Sequence, residues 1–199
     1  MIDDLGLGKI IHSRPETWKK DVMAMIAGRI VYQGSKLSLT NLYNSSTLWE
    51  LVGHDQGVRP DVEKHCYEPL DHLLERQPAI QKALAEKHLQ DGCMILYDIT
   101  SSYVEGDYTD SELVTYGYNR DGKRGHEQIV IGLLTNKDGC PVAIEVFKGN
   151  TSDQTTVLGQ AKQLTNEYGV KSVVFAGDRG MLTPRRIEEV TELGYKTLT

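Results

Sequence analysis

Two aspartates interrupt or end runs that are otherwise apolar. Asp98 lies within Met94-Ile95-Leu96-Tyr97-Asp98-Ile99-Thr100, and Asp178 follows Val173-Val174-Phe175-Ala176-Gly177. Runs of this kind read as strands with buried side chains, where an unpaired carboxylate is costly. Both aspartates are therefore expected to have a use. Brought together at one end of a sheet, they make a site for a hard divalent cation, Mg²⁺ or Mn²⁺. Two such ions about 4 Å apart activate an attacking water or 3′-hydroxyl and stabilise the leaving oxygen of an in-line displacement. That is the chemistry of cutting a phosphodiester. Each residue also has a plainer reading: Asp98 as a strand-edge residue capping a turn, and Asp178 as the cap of the Arg179-Gly180 turn.

The elements needed to position this pair are legible from residue 91 onward. Cys93 to about Tyr103 reads as a strand, followed by a polar, Tyr-rich loop from Val104 to about His126, which is long for a connection. Gln128 to Thr135 is a second strand, joined by the turn Asn136-Lys137-Asp138-Gly139 to a third that begins at Pro141, suited to a sheet edge. Val157, Leu158, Ala161, Leu164 and Tyr168 mark a helix face closed by Gly169. Ser172 to Ala176 is a fourth strand. Thr183-Pro184 opens a helix that Gly194 ends, and Tyr195 begins a fifth strand. The order β-β-β-α-β-α-β opens an RNase H-like α/β fold with a mixed sheet, in which the first strand lies beside the end of the fourth.

Residues 1–90 read as a helical region preceding this partial catalytic domain of residues 91–199. Ser13-Arg14-Pro15-Glu16 has the form of a capping box, with Trp18, Val22, Met25, Ile26 and Ile30 at helical spacing behind it. A short helix fits Thr47 onward. Val62, Cys66, Leu70 and Leu73 share a face kinked at Pro69, and Pro78 is expected to open a further helix to about Leu89.

Composition sets bounds but selects no function. The 199 residues are 39% hydrophobic and 25% charged, as in a globular chain, and no run approaches the ~20 apolar residues of a membrane span. The amino terminus lacks the form of a secretory signal, and three scattered cysteines make no CxxC pair. A reducing cytoplasm follows, without a disulfide or zinc framework. The net charge of −6 is concentrated in residues 91–199, which carry 11 basic against 16 acidic groups. Arg120, Lys123 and Arg124, with His126, Tyr116 and Tyr118 nearby, form a basic and aromatic cluster suited to DNA contact, or else an ordinary solvated loop. Lys148 and Asn150 either approach a DNA strand or belong to a simple turn. Glu105, Asp107, Asp110 and Glu112 read as a solvated acidic loop. The six histidines show no ligand spacing.

More specific wording surrounds the aspartates. Tyr97-Asp98-Ile99-Thr100-Ser101, Gly125-His126-Glu127-Gln128, Gly139-Cys140-Pro141-Val142 through Gly149-Asn150, and Phe175-Ala176-Gly177-Asp178-Arg179-Gly180-Met181 resemble DDE transposases of bacterial insertion sequences. Within these they are similar to the group called IS-four, and to its subgroup with a Tyr-Asp-x-Thr-Ser motif and an Asp-Arg-Gly-Met motif. Gly28-Arg29-Ile30 and Ser35-Lys36-Leu37 resemble that subgroup's helical segment. The resemblance implies metal-dependent hydrolysis and strand transfer at the element's inverted-repeat ends, with DNA as partner and a homo-oligomer when full length. It assigns Asp98 and Asp178 as the first and second catalytic, metal-holding aspartates, with two Mg²⁺ or Mn²⁺ ions in the complete enzyme. Gly177 stands where relatives often have Ala or Val.

The family's catalytic glutamate, on a later helix with a Tyr-Arg-Glu-Lys pattern, has no counterpart before Thr199. This reading therefore expects a fragment that is itself inactive. The competing reading is a non-catalytic remnant that binds DNA or a full-length partner. A remote alternative, a haloacid-dehalogenase-like phosphohydrolase, needs an aspartate where Thr100 stands and a parallel sheet.

Overall fold

Side-chain alternation along one long strand organises the carboxyl-terminal part of the chain. In β1 (Cys93–Tyr103), Ile95, Tyr97 and Ile99 are buried while Leu96, Asp98 and Thr100 are exposed, the period-two pattern of a strand with one covered face. The computed structural model describes residues 4–106, 108–118 and 125–199, in two units, Met1–Ile80 and Gln81–Thr199. The division falls inside one helix, α5 (Glu68–His88). Among the described residues no helix is long and apolar enough to cross a membrane.

The second unit is an α/β structure built on a mixed five-stranded sheet. After β1 come β2 (Gln128–Asn136), β3 (Pro141–Lys148), β4 (Val173–Ala176) and β5 (Lys196–Leu198), in the spatial order β3-β2-β1-β4-β5. β1 pairs antiparallel with β2, and β2 with β3; β1 pairs parallel with β4, and β4 with β5. Parallel neighbours need crossovers, which α6 (Asp153–Asn166) and α7 (Pro184–Glu192) supply. Pro141 opens the edge strand, where its missing N–H costs no ladder bond.

Val157, Ala161 and Leu164 of α6 and Val190 of α7 form one core with Ile95, Tyr97, Val130, Leu134 and Phe175 from the sheet. Tyr97 is packed over Gly132 of β2 so closely that a Cβ there would stand 2.5 Å from the phenolic oxygen and 3.1 Å from Cε2. Among the described residues no group makes a hydrogen bond of normal geometry with the buried Tyr97 hydroxyl. The Thr156 hydroxyl, which donates its proton to the Asp153 carbonyl, lies close to the phenol. Burial is the main reason the phenol is pushed up to about 12.

The first unit is helical: α1 (Leu7–Ile11), α2 (Thr17–Val31), α3 (Lys36–Thr40), α4 (Leu48–Leu51) and the start of α5. Its small core joins Ala24, Leu39, Trp49 and Cys66, and the Trp49 indole N–H donates to the Leu39 carbonyl at 2.9 Å.

Three local expectations fail here for physical reasons. The capping box does not form: α2 begins only at Thr17, which makes Glu16 the N-cap, with no side-chain bond. Pro69 leaves a π-helical turn, Glu63–Tyr67, ahead of α5 rather than a kink within it. A proline there withholds the N–H that the carbonyl four residues earlier, His65, would accept in an α-helix. Pro78 does not open a helix but lies inside α5. The carbonyl it leaves without a donor belongs to Leu74, a residue 68% exposed, so water can replace the lost bond.

Tyr97 and Gly132 yield a paired stability test. Gly132→Ala is expected to destabilise the protein by about 1–3 kcal/mol, the usual cost of overpacking a closed core. Tyr97→Phe removes an unsatisfied buried hydroxyl and is expected to raise stability by about 1 kcal/mol. Denaturant unfolding of both variants reads the two signs; a destabilised Tyr97→Phe would mean that the hydroxyl has a partner.

Candidate functional site

Strand register sets the spacing of the two aspartates. β1 and β4 run parallel with Leu96 opposite Ala176. Asp98 and Asp178 each lie two residues beyond that last pair, Asp98 still within β1 and Asp178 past the end of β4, so both fall toward the same end of these two adjacent parallel strands. β4 ends at Ala176, which leaves Asp178 on the following turn. The Asp178 carbonyl closes that turn by accepting from the Met181 and Leu182 N–H groups at 3.0 and 2.9 Å. The turn is thus held by backbone.

Both carboxylates are exposed. The desolvation cost of a buried carboxylate does not apply: Asp98 alternates onto the exposed face of β1, and Asp178 lies past the end of β4. Asp98 Oδ1 accepts the Ile99 N–H at 2.8 Å, which orients the carboxylate. Two accessible carboxylates supply hard oxygen donors, a chemically suitable partial set for a hydrated Mg²⁺ or Mn²⁺. Asp98 and Asp178 belong to no three-donor set among the described residues.

The basic candidates separate. Arg120, Lys123 and Arg124 lie outside the described residues. Lys148, at the end of β3, is exposed and pairs with Ile129, whose β1 partner is Ser102. It therefore shares a face with Asp98, four residues along and two strands over, roughly 16 Å away by strand geometry. Asn150 is also exposed and lines a polar cavity of about 310 Å³ with Ser101, Ser152, Asp153 and Gly180, at the start of α6.

The described end of the long loop is pinned. Thr115 and Gln128 exchange backbone hydrogen bonds at 3.1 and 3.0 Å, Gly149 N–H donates to the Leu113 carbonyl, and Asn150 N–H donates to Thr115 Oγ1. The buried Gln128 amide donates to the carbonyls of Gly149, at 2.7 Å, and Tyr118, at 3.1 Å. At Gly149 a Cβ would meet the Gln128 and Thr115 carbonyl oxygens at 2.0 and 2.4 Å, and backbone cannot yield to it. The turn that carries Lys148 and Asn150 is thereby tied to the loop. The sequence signal for this was Gly149, the glycine between the two polar candidates Lys148 and Asn150.

Arg185, which is exposed, and the half-buried Arg186 both pair with Glu189 one turn on, at 3.0 Å for Arg185. A second polar centre, missed in the sequence, joins Asp21, His54 and His65 in the helical unit.

No protein-family model matches the chain, and no curated protein does. Similar solved structures include the Mos1 transposase paired-end complex with left transposon end, at TM-score 0.37 and 13% identity. The Mos1 strand transfer complex scores 0.37 at 14% identity, and a pre-cleavage Mos1 transpososome 0.33 at 11%. The alignments cover 94%, 94% and 93% of this chain and 60%, 60% and 78% of those chains. The chain thus spans 60% of the first two transposase chains. The likeness is weak.

Gly149→Ala is expected to release the 113–118 segment without unfolding the sheet. Hydrogen exchange at the Thr115 and Gly149 amides should accelerate at least about tenfold, while amides in the middle of β1 stay protected. Unchanged exchange at Thr115 would show that the segment does not depend on this close approach.

Proposed function

We propose that the second unit is an RNase H-like catalytic core of a DDE transposase of bacterial insertion sequences, acting in metal-dependent cleavage and strand transfer of DNA. The observation that carries this reading is that β1 and β4 pair in parallel and that Asp98 and Asp178 each follow their last pair by two residues, each inside one of the motifs that resemble the IS-four group. The antiparallel β1-β2-β3 run disfavours the haloacid-dehalogenase-like alternative, which needs a parallel sheet.

In this reading Asp98 and Asp178 hold Mg²⁺ or Mn²⁺. When bound, such ions supply an activated water or 3′-hydroxyl and charge stabilisation at the leaving oxygen. The chain's own residues do the positioning. The Ile99 N–H fixes one Asp98 oxygen, and backbone hydrogen bonds close the turn that carries Asp178. Lys148, on the Asp98 face, offers a point charge to a phosphate, and Asn150 offers an amide beside the α6 start. Inverted-repeat ends and target DNA are the proposed partners, with a homo-oligomer in the complete assembly.

Two measurements test this. Mn²⁺ added to isotope-labelled protein should broaden the amide signals of Ile99 and Arg179 selectively, and Asp98→Asn or Asp178→Asn should suppress that effect. Absence of broadening at both positions in the wild type would sink the shared metal site. On duplexes carrying the DNA that flanks the coding frame, a version of the protein active in cleavage should lose Mg²⁺-dependent cutting with either substitution, yet keep most of its binding. Near-normal cutting by either variant would overturn the catalytic assignment.

A further inference from the structure

The helical unit contains a buried carboxylate with an unusual set of partners. Asp21, in the second turn of α2, is 6% exposed. Among the described residues no lysine or arginine pairs with it. Instead His54 Nε2 lies 2.6 Å from Oδ1, and His65 Nδ1 lies 3.2 Å from Oδ2. Three segments far apart in sequence therefore converge on one point: α2, the turn after α4, and the π-helical turn before α5.

The two imidazoles are held in place independently of Asp21. The His54 ring packs edge-on against Trp49 at 5.1 Å and against the His65 ring at 4.5 Å. Trp49 is in turn fixed by its bond to the Leu39 carbonyl. His65 rides on the π-helical turn that Pro69 imposes, a distortion frequent at functional positions. The donor atoms of the three side chains all lie within 4.8 Å of one another. Ligands of a tetrahedral ion with bonds of about 2.0–2.1 Å stand roughly 3.4 Å apart, so small side-chain rotations reach that arrangement. A cavity of about 370 Å³, bordered by Lys20, Arg59 and Gly53, opens onto all three residues. It leaves room for a fourth ligand such as water, and its charged lining is mixed, with Lys20 and Arg59 beside Asp55.

We propose that Asp21, His54 and His65 bind one divalent transition-metal ion of the zinc class, with the fourth position open to the cavity. Two imidazoles and a carboxylate are a zinc donor set, and their nitrogen content separates this site from the all-oxygen pair at Asp98 and Asp178. The ion would staple α2 to the two turns and stabilise the folded helical unit by binding it in preference to the unfolded chain.

The test uses the whole 199-residue chain, stripped of metal with a chelator. Co²⁺ should bind with the intense visible d–d absorption of a four-coordinate ion, and one equivalent of Zn²⁺ should abolish that absorption. Zn²⁺ should also raise the melting temperature. In imidazole-resolved NMR of the wild type, Zn²⁺ should shift the signals of His54 and His65 and leave those of His12, His72, His88 and His126 in place. The double substitution His54→Gln/His65→Gln should weaken binding by more than the roughly 10–100-fold lost when only an outer hydrogen-bond partner of a ligand is removed.

No four-coordinate Co²⁺ spectrum in the wild type, or shifts confined to the other histidines, would overturn the proposal and leave a metal-free carboxylate bridging two imidazoles. Undiminished binding by the folded double variant would overturn it as well. If that variant fails to fold, the wild-type spectra decide alone.

Discussion

The parallel pairing of β1 with β4 is the constraint on which the second unit depends. It joins strands separated by two further strands and a helix in sequence, and it directs Asp98 and the turn that carries Asp178 toward the same end of the sheet. Because successive side chains alternate across a strand, the register that sends Asp98 outward also sends Tyr97 and Ile99 into the core. A slip of one residue would bury the aspartate and expose both hydrophobic residues. Core packing therefore protects the position of the carboxylate, although the carboxylate itself takes no part in the core.

The covered face supplies that protection through close fit. Tyr97 lies over Gly132, Gln128 ties three chain segments together with one amide, and Gly149 allows backbones to approach without a Cβ between them. Each of these places a small or polar residue where hydrophobic patterning alone would favour a larger apolar one. Such exceptions locate the points where the structure has least freedom. They surround the α6 start and the β3 end, close to the candidate DNA-contacting residues Lys148 and Asn150.

The helical unit is organised differently. Its apolar core is small, and a buried carboxylate with two imidazoles holds its remaining segments. Burial of Asp21 needs such partners, since an isolated buried carboxylate would be strongly disfavoured. Polar specificity here does part of what a larger hydrophobic core would do.

Local chemistry was enough to read much of the chain. Period-two alternation, the Asn136–Gly139 turn, Pro141, Gly169 and Thr183-Pro184 all act within a few residues, and the five strands and the helices α6 and α7 follow from them. So did the choice of Asp98 and Asp178, though for a reason the structure removes, because both are exposed. The helix boundary at Pro78 differs from local expectation because a proline's effect depends on whether water can take the freed carbonyl, and near Ser13 the chain is still extended at Glu16 before α2 begins. What only the tertiary structure decided is which distant residues meet. The meeting of Asp21 with His54 and His65 spans 33 and 44 positions along the chain, and no local periodicity records it. Patterning is written residue by residue, whereas the convergence of a site depends on how whole elements pack.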